Sequence, residues 1–144
     1  MVKTNEKDNK KIKYIALYCR VAISDPKADI SEITAQKKQL EHWAKQQGYT
    51  PEQIITLIDN GFSGFTLERP GIQQFLSGKQ KYAALVAVNL SRFARDAFLI
   101  GKIVDHAEVH GTTVYAIKEQ TSLNQWKQEW NQFYSALLKG GAGK

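Results

Sequence analysis

Asn89-Leu-Ser-Arg-Phe-Ala-Arg-Asp96 lies between an apolar run, Ala83-Ala-Leu-Val-Ala-Val88, and Ala97-Phe-Leu-Ile-Gly-Lys-Ile-Val-Asp-His-Ala-Glu-Val109, which has helical periodicity. The apolar run predicts a buried strand, and the periodic segment a helix that packs on it. Arg92 and Arg95 therefore sit where a central strand turns into a helix. In an open α/β sheet that turn borders the crevice at the carboxyl ends of the strands, the usual place for a ligand. Two guanidiniums three residues apart suit a phosphate, because their planar forks match its oxygens. Two solvated arginines on a helix turn would look the same, and the stretch alone leaves both open.

The flanking sequence repeats the alternation. Tyr14 to Val21 is β-rich and reads as a first strand. Asp25 to Asp29 reads as a loop, because a proline at 26 forces an extended residue before it. Ser31 reads as an N-cap, followed by Ile33, Leu40, Trp43 and Ala44 on one helix face, with Gly48 as the stop. Ile54 to Ile58 is a second strand, and Asp59 to Phe65 a glycine-punctuated loop. Pro70 suits the first turn of a short helix through Phe75 and Leu76, ended by Gly78. After the arginine turn, the helix runs to His110 with Gly111 as its stop, and Thr112 to Ile117 is a fourth strand. Asn124 to Leu138 predicts a last helix with a wide aromatic stripe, Trp126, Trp130, Phe133 and Tyr134 among it, which could cover the sheet or meet a partner.

The predicted fold is thus α/β: a parallel central sheet of about four to five strands, helices on both faces, right-handed crossovers and a C-terminal helix. The expected division is a flexible basic tail (1–12), a catalytic-type domain (13–122), a helix for oligomerisation (123–139) and a disordered end (140–144). In such a sheet the strand ends share one rim. Arg20, Asp59, Ser63, Arg69, Arg92 and Arg95 can converge there. Four arginines repel one another unless an anion sits among them, and a nucleic-acid phosphodiester is the natural candidate.

These residues also carry a family resemblance. Tyr18-Cys-Arg-Val21, Gln36, Asp59-x-Gly-x-Ser-Gly64, Arg69-Pro70 and Leu90-Ser-Arg-Phe-Ala-Arg-Asp96 resemble, in register from about Lys13 to Gln120, the catalytic domain of serine recombinases, the resolvase/invertase family. The resemblance implies site-specific DNA strand exchange, in which a serine attacks a phosphodiester to give a 5′-phosphoserine without metal or other cofactor. It implies that Arg20, Arg92 and Arg95 cradle the scissile phosphate, that Arg69 is a further active-site arginine, and that Gln36 and Asp59 are polar residues around the site. It also implies a homodimer built on the long helix and a tetramer during strand exchange. Guanidiniums can neutralise the charge that develops on phosphoryl oxygens without a metal, which agrees with this chemistry.

Two positions depart from the pattern. The nucleophile's place, directly after Tyr18-x-Arg-Val21, is Ala22, and a methyl group cannot attack phosphorus. The aspartate usual before the first arginine of the turn is Ser91. Ala22 has three accounts: an engineered knockout, a natural loss, or takeover by another hydroxyl. Ser24 would lie roughly 6–7 Å away along an extended strand, a large error for in-line attack, and Ser63 sits in a loop where serine commonly forms turns. Takeover ranks last, and the second departure favours natural divergence.

The remaining features set bounds. The chain has 144 residues, 42% of them hydrophobic, and a net charge of +6. That is one domain with room for a core, and a modest bias towards a polyanionic partner. Five lysines within residues 1–13, against Glu6 and Asp8, make a solubilising arm. No segment reads as a signal peptide or membrane span. Cys19 is the only cysteine and fits a reducing, cytoplasmic setting. His106 and His110 form only an i, i+4 half-site, so no metal is expected. A flavodoxin-like domain using Asp59 would explain the topology but not the arginines. Two readings therefore stand: a DNA recombinase domain lacking its nucleophile, and a non-catalytic DNA-binding or dimerisation relative.

Overall fold

The computed structural model describes residues 12–23, 26–125 and 128–129, with backbone alone for 26–31. The element order is β1 (Tyr14–Val21), α1 (Pro26–Gln46), a 3-10 turn (Pro51–Gln53), β2 (Ile54–Asn60), α2 (Pro70–Leu76), β3 (Tyr82–Ala87), α3 (Leu90–Phe93), α4 (Ala97–Val109), β4 (Thr113–Ala116) and β5 (Thr121–Ser122). The sheet has five strands in the order β2-β1-β3-β4-β5. The first four are parallel, and β5 pairs antiparallel with β4.

The alternating side chains of β1 show why the sheet needs both faces covered. Ile15, Leu17 and Cys19 enter one core with Leu40 and Ala44 of α1. Ala16 and Tyr18 enter the other, with Ile72 and Phe75 of α2 and Ile100, Ile103 and Val104 of α4. Each large apolar side chain so buried is worth about 1.5–3 kcal/mol. Burial also pushes the Cys19 thiol up to about 11, as for a small hydrophobe rather than a nucleophile.

Two expectations need correction. The first helix begins at Pro26, not near Ser31. A proline that forces its predecessor into extended geometry is also well suited to open a helix, since the first-turn N–H it lacks has no intrahelical partner. The sheet has five strands, within the expected four to five, but the fifth, β5, is antiparallel rather than parallel, and two residues are too few to leave a period in the sequence. Residues 123–125 and 128–129 are helical. The Asn124 side chain accepts from Val114 N–H and donates to Thr112 O, so it docks this segment on β4. The aromatic stripe from Trp126 onward and the basic tail lie outside the described residues.

β2 and β3 leave β1 on opposite sides, so the switch point of the sheet lies at the carboxyl end of β1. Pairing with β3 stops at Leu17, while pairing with β2 runs on to Val21. The last residues of β1 therefore lack a strand on one side, and side chains fill that gap.

Candidate active site

Gln36 of α1 takes the missing strand's place. Its Oε1 accepts from Arg20 N–H at 3.2 Å and its Nε2 donates to Arg20 O at 3.1 Å. Arg92 Nη1 donates to the same carbonyl at 3.1 Å. On the other side, Val21 O accepts from Gly61 and Phe62 N–H at 2.9 and 3.0 Å. The main chain is thus fixed on both sides where it reaches Ala22, which is exposed at the rim.

Arg20 is 1% exposed, and its guanidinium points into protein. Nε donates to Arg92 O at 2.9 Å, Nη2 to Ser91 O at 2.6 Å and Nη1 to Phe62 O at 3.0 Å. Arg69, also 1% exposed, donates through Nη2 to Phe93 O and through Nε to Thr66 O at 2.7 Å. Two buried guanidiniums therefore hold three successive carbonyls, those of Ser91, Arg92 and Phe93. These belong to the last turn of α3, where carbonyls lack intrahelical donors and positive charge is favoured. Burial lowers the Arg20 pKa, and the charges of Arg69, Arg92 and Arg95 press it the same way.

Asp59 sits behind this brace with no exposure. Its carboxylate accepts from Gly71 N–H and from Ile72 N–H at 3.0 Å, the first amides of α2, and from the Tyr18 hydroxyl. A carboxylate on unpaired amides at a helix N-terminus is stabilising. The Tyr18 hydroxyl in turn accepts from Arg69 Nη1 at 2.6 Å. Burial raises the Tyr18 phenol far above its ordinary range, so it remains a donor. Tyr18 thereby links Asp59 to Arg69, and Arg69 to the arginine turn.

Two glycines make this packing possible. A Cβ on Gly64 would lie 2.7 Å from Arg95 Cγ and 2.9 Å from Arg20 Nη2. A Cβ on Gly71 would come within 2.9–3.0 Å of all three carboxyl atoms of Asp59. Tyr18 and Gly71 were not singled out as site residues in the sequence. The available signals were Tyr18's place at the head of the Tyr18-Cys-Arg-Val21 motif, which assigned it no role, and a glycine immediately after Pro70, a poor helix former at a helix start.

What remains at the surface is a smaller set. Arg95 is exposed and Arg92 half-buried, and Arg92 Nε has no hydrogen-bond partner. Ser91 donates its hydroxyl to Asn89 Oδ1 at 2.7 Å. Ser63 is exposed and accepts from Phe65 N–H at 3.0 Å, as a turn-forming serine does. Ser24 lies outside the described residues. The His106 and His110 rings stack at 4.3 Å, and His106 meets the edge of Phe75. No group of three metal-type side chains occurs among the described residues.

The model of the resolvase N-terminal domain matches residues 15–140. The chain belongs to the resolvase N-terminal domain family.

Solved structures of resolvase-type domains share the fold. The N-terminal catalytic domain of TP901-1 integrase is 20% identical, with a TM-score of 0.70 over 90% of this chain and 96% of that one. A resolvase family site-specific recombinase from Streptococcus pneumoniae is 19% identical, with a TM-score of 0.61 over 92% and 97%. A serine recombinase from Sulfolobus solfataricus is 19% identical, with a TM-score of 0.58 over 87% and 82%. No curated protein matches the chain. No helix among the described residues is long and apolar enough to cross a membrane.

Proposed function

We propose that this resolvase-type domain is the catalytic domain of a site-specific DNA recombinase, with a backbone phosphodiester as the anion at its rim. The supporting observation is the division of labour among the arginines. Arg20 and Arg69 fix the carbonyls of the turn, Arg95 is exposed, and half-buried Arg92 holds Arg20 O through Nη1 while its Nε is left without a partner. A phosphodiester there would meet guanidiniums that are already oriented, which is how charge developing on phosphoryl oxygens is best stabilised. Arg92 Nε, buried and unpartnered, supplies a donor for such an oxygen.

The attacking group is what the chain lacks. Ala22 stands at the end of β1, where the family's serine would attack, so the domain as written binds without forming a phosphoserine. Ser63 is not a substitute in this reading, because its hydroxyl is engaged in its own turn. The partner is DNA, and the family's mode of action calls for a homodimer that pairs into a tetramer. The non-catalytic alternative, a recombinase-like module kept for DNA binding and assembly, draws its support from Ala22 and Ser91 together.

Replacing Ala22→Ser and incubating with supercoiled DNA that carries candidate sites separates the two. Covalent protein–DNA adducts through the introduced hydroxyl support the recombinase reading; their absence at every site, with DNA binding intact, supports the module. Binding itself is expected to weaken steeply with salt, because phosphate contacts release counterions.

A further inference from the structure

The arginine turn is held at its carbonyl end by Arg20 and Arg69, and its amide end is held in an unexpected way. The cap position of α3 is Asn89, a good capping residue by type. Its side chain makes no bond to the helix amides. Its Oδ1 is occupied by the Ser91 hydroxyl instead. The Leu90 N–H donates to Glu119 Oε1 at 3.0 Å, across a separation of 29 residues.

Glu119 stands on the turn between β4 and β5, and that turn is fastened to the end of β3. Ile117 N–H donates to Ala87 O at 3.0 Å, and Lys118 N–H to Val88 O at 2.9 Å. Gln120 closes the turn at φ +52°, the one non-glycine left-handed residue among those described. Such a conformation costs about 1–2 kcal/mol in a non-glycine residue and persists where the surroundings determine it. Glu119 also lines a cleft with Ser91, Arg95 and Lys118, so its carboxylate lies on the exposed side of the arginine turn.

We propose that Glu119 is a positioning residue for the arginine turn. From outside, it supplies the carboxylate that Asn89 to Arg95 does not contain, and it fixes the start of α3 so that Arg92 and Arg95 stay presented to the phosphodiester. This rests on the reading of the rim as a DNA phosphate site. An acceptor thus meets the unpaired Leu90 amide at one end of the turn, and donors meet its unpaired carbonyls at the other. The bond is exposed, so it adds little to global stability. Its effect is local, and an error of about 1 Å in a site of this kind is costly.

Two variants of the full chain test it. Glu119→Gln keeps an acceptor oxygen and Glu119→Ala removes it. In Glu119→Ala, exchange of the Leu90 amide is expected to accelerate about tenfold, with an almost unchanged unfolding midpoint. Glu119→Gln is expected to stay near the original chain. Titration with short mixed-sequence duplex DNA is expected to move the Arg92 and Arg95 Nε–H signals in the original chain and in Glu119→Gln. In Glu119→Ala the same signals should respond only at several-fold higher DNA. Unchanged Leu90 exchange in Glu119→Ala overturns the proposal. So does a Glu119→Gln chain that behaves like Glu119→Ala, or a loss of binding matched by a loss of global stability. If duplex DNA moves neither arginine signal in the original chain, the phosphate-site reading fails instead. Leu90 exchange then decides alone whether Glu119 holds the turn.

Discussion

Arg20 and Arg69 on one side, and Arg92 and Arg95 on the other, are one residue type within one set of motifs, yet the first pair is fully buried while Arg92 is half-buried and Arg95 exposed. The first pair is 1% exposed and spends its donors on peptide carbonyls and a phenol. The second lies at the rim, and Arg95 is exposed. A buried guanidinium is expensive to desolvate and is retained only where its donors are used. The difference teaches that a cluster of cations can be partly scaffold: the inner pair shapes the backbone on which the outer pair is carried.

The sharpest test of that division is at its foundation. Asp59→Ala leaves the α2 amides and the Tyr18 hydroxyl without their acceptor, and should cost about 3–5 kcal/mol in urea unfolding. A cost near that of a surface substitution would dissolve the distinction. Next, Arg69→Lys keeps the charge but loses the planar fork that spans Tyr18, Thr66 and Phe93. A loss of about 2 kcal/mol is expected, with the arginine turn loosened. Arg95→Ala is the counterpart: stability should stay within about 0.5 kcal/mol, while the salt dependence of DNA binding falls by about one phosphate contact. If Arg95→Ala destabilised the fold as much as Arg69→Lys, the two pairs would not differ.

The smallest expected effect concerns pH, far from the rim. Burial, and then the neighbouring His110, hold the His106 pKa below the ordinary histidine range, against a Phe75 backbone contact that raises it. The folded chain therefore takes up this proton less readily than the unfolded chain. Stability is fully present above the ordinary histidine pKa and declines as pH falls through it, until the folded group itself titrates. Melting temperatures of His106→Gln should show a shallower decline across that window.

The sequence was most legible where one physical rule acted alone. The apolar run before the turn read as a buried strand, and the alternation of strands with helices left few topologies. The expectation that Arg20, Asp59, Ser63, Arg69, Arg92 and Arg95 meet at one rim followed from strand polarity, and Gln36 was added by the family resemblance alone. Which way each guanidinium faces did not follow, because a carbonyl and a phosphate oxygen ask for the same donor. Asp59 as a cap for α2, Tyr18 as the link to Arg69, and Glu119 as the cap of α3 depend on contacts between segments distant in sequence. No local period reports them. The start of α1 was misplaced because Pro26 admits two readings, one of a loop and one of a helix start.

The Gln36 bridge has a mechanical consequence. Beyond Leu17, β1 has no strand on its β3 side, and its final residues are tied there by one carboxamide from α1 and by Arg92. A small rolling of α1 over the sheet would therefore tug the peptide that leads into Ala22, as a lever moves its short arm. The carboxamide is the linkage through which strain in the outer helix reaches the main chain at position 22.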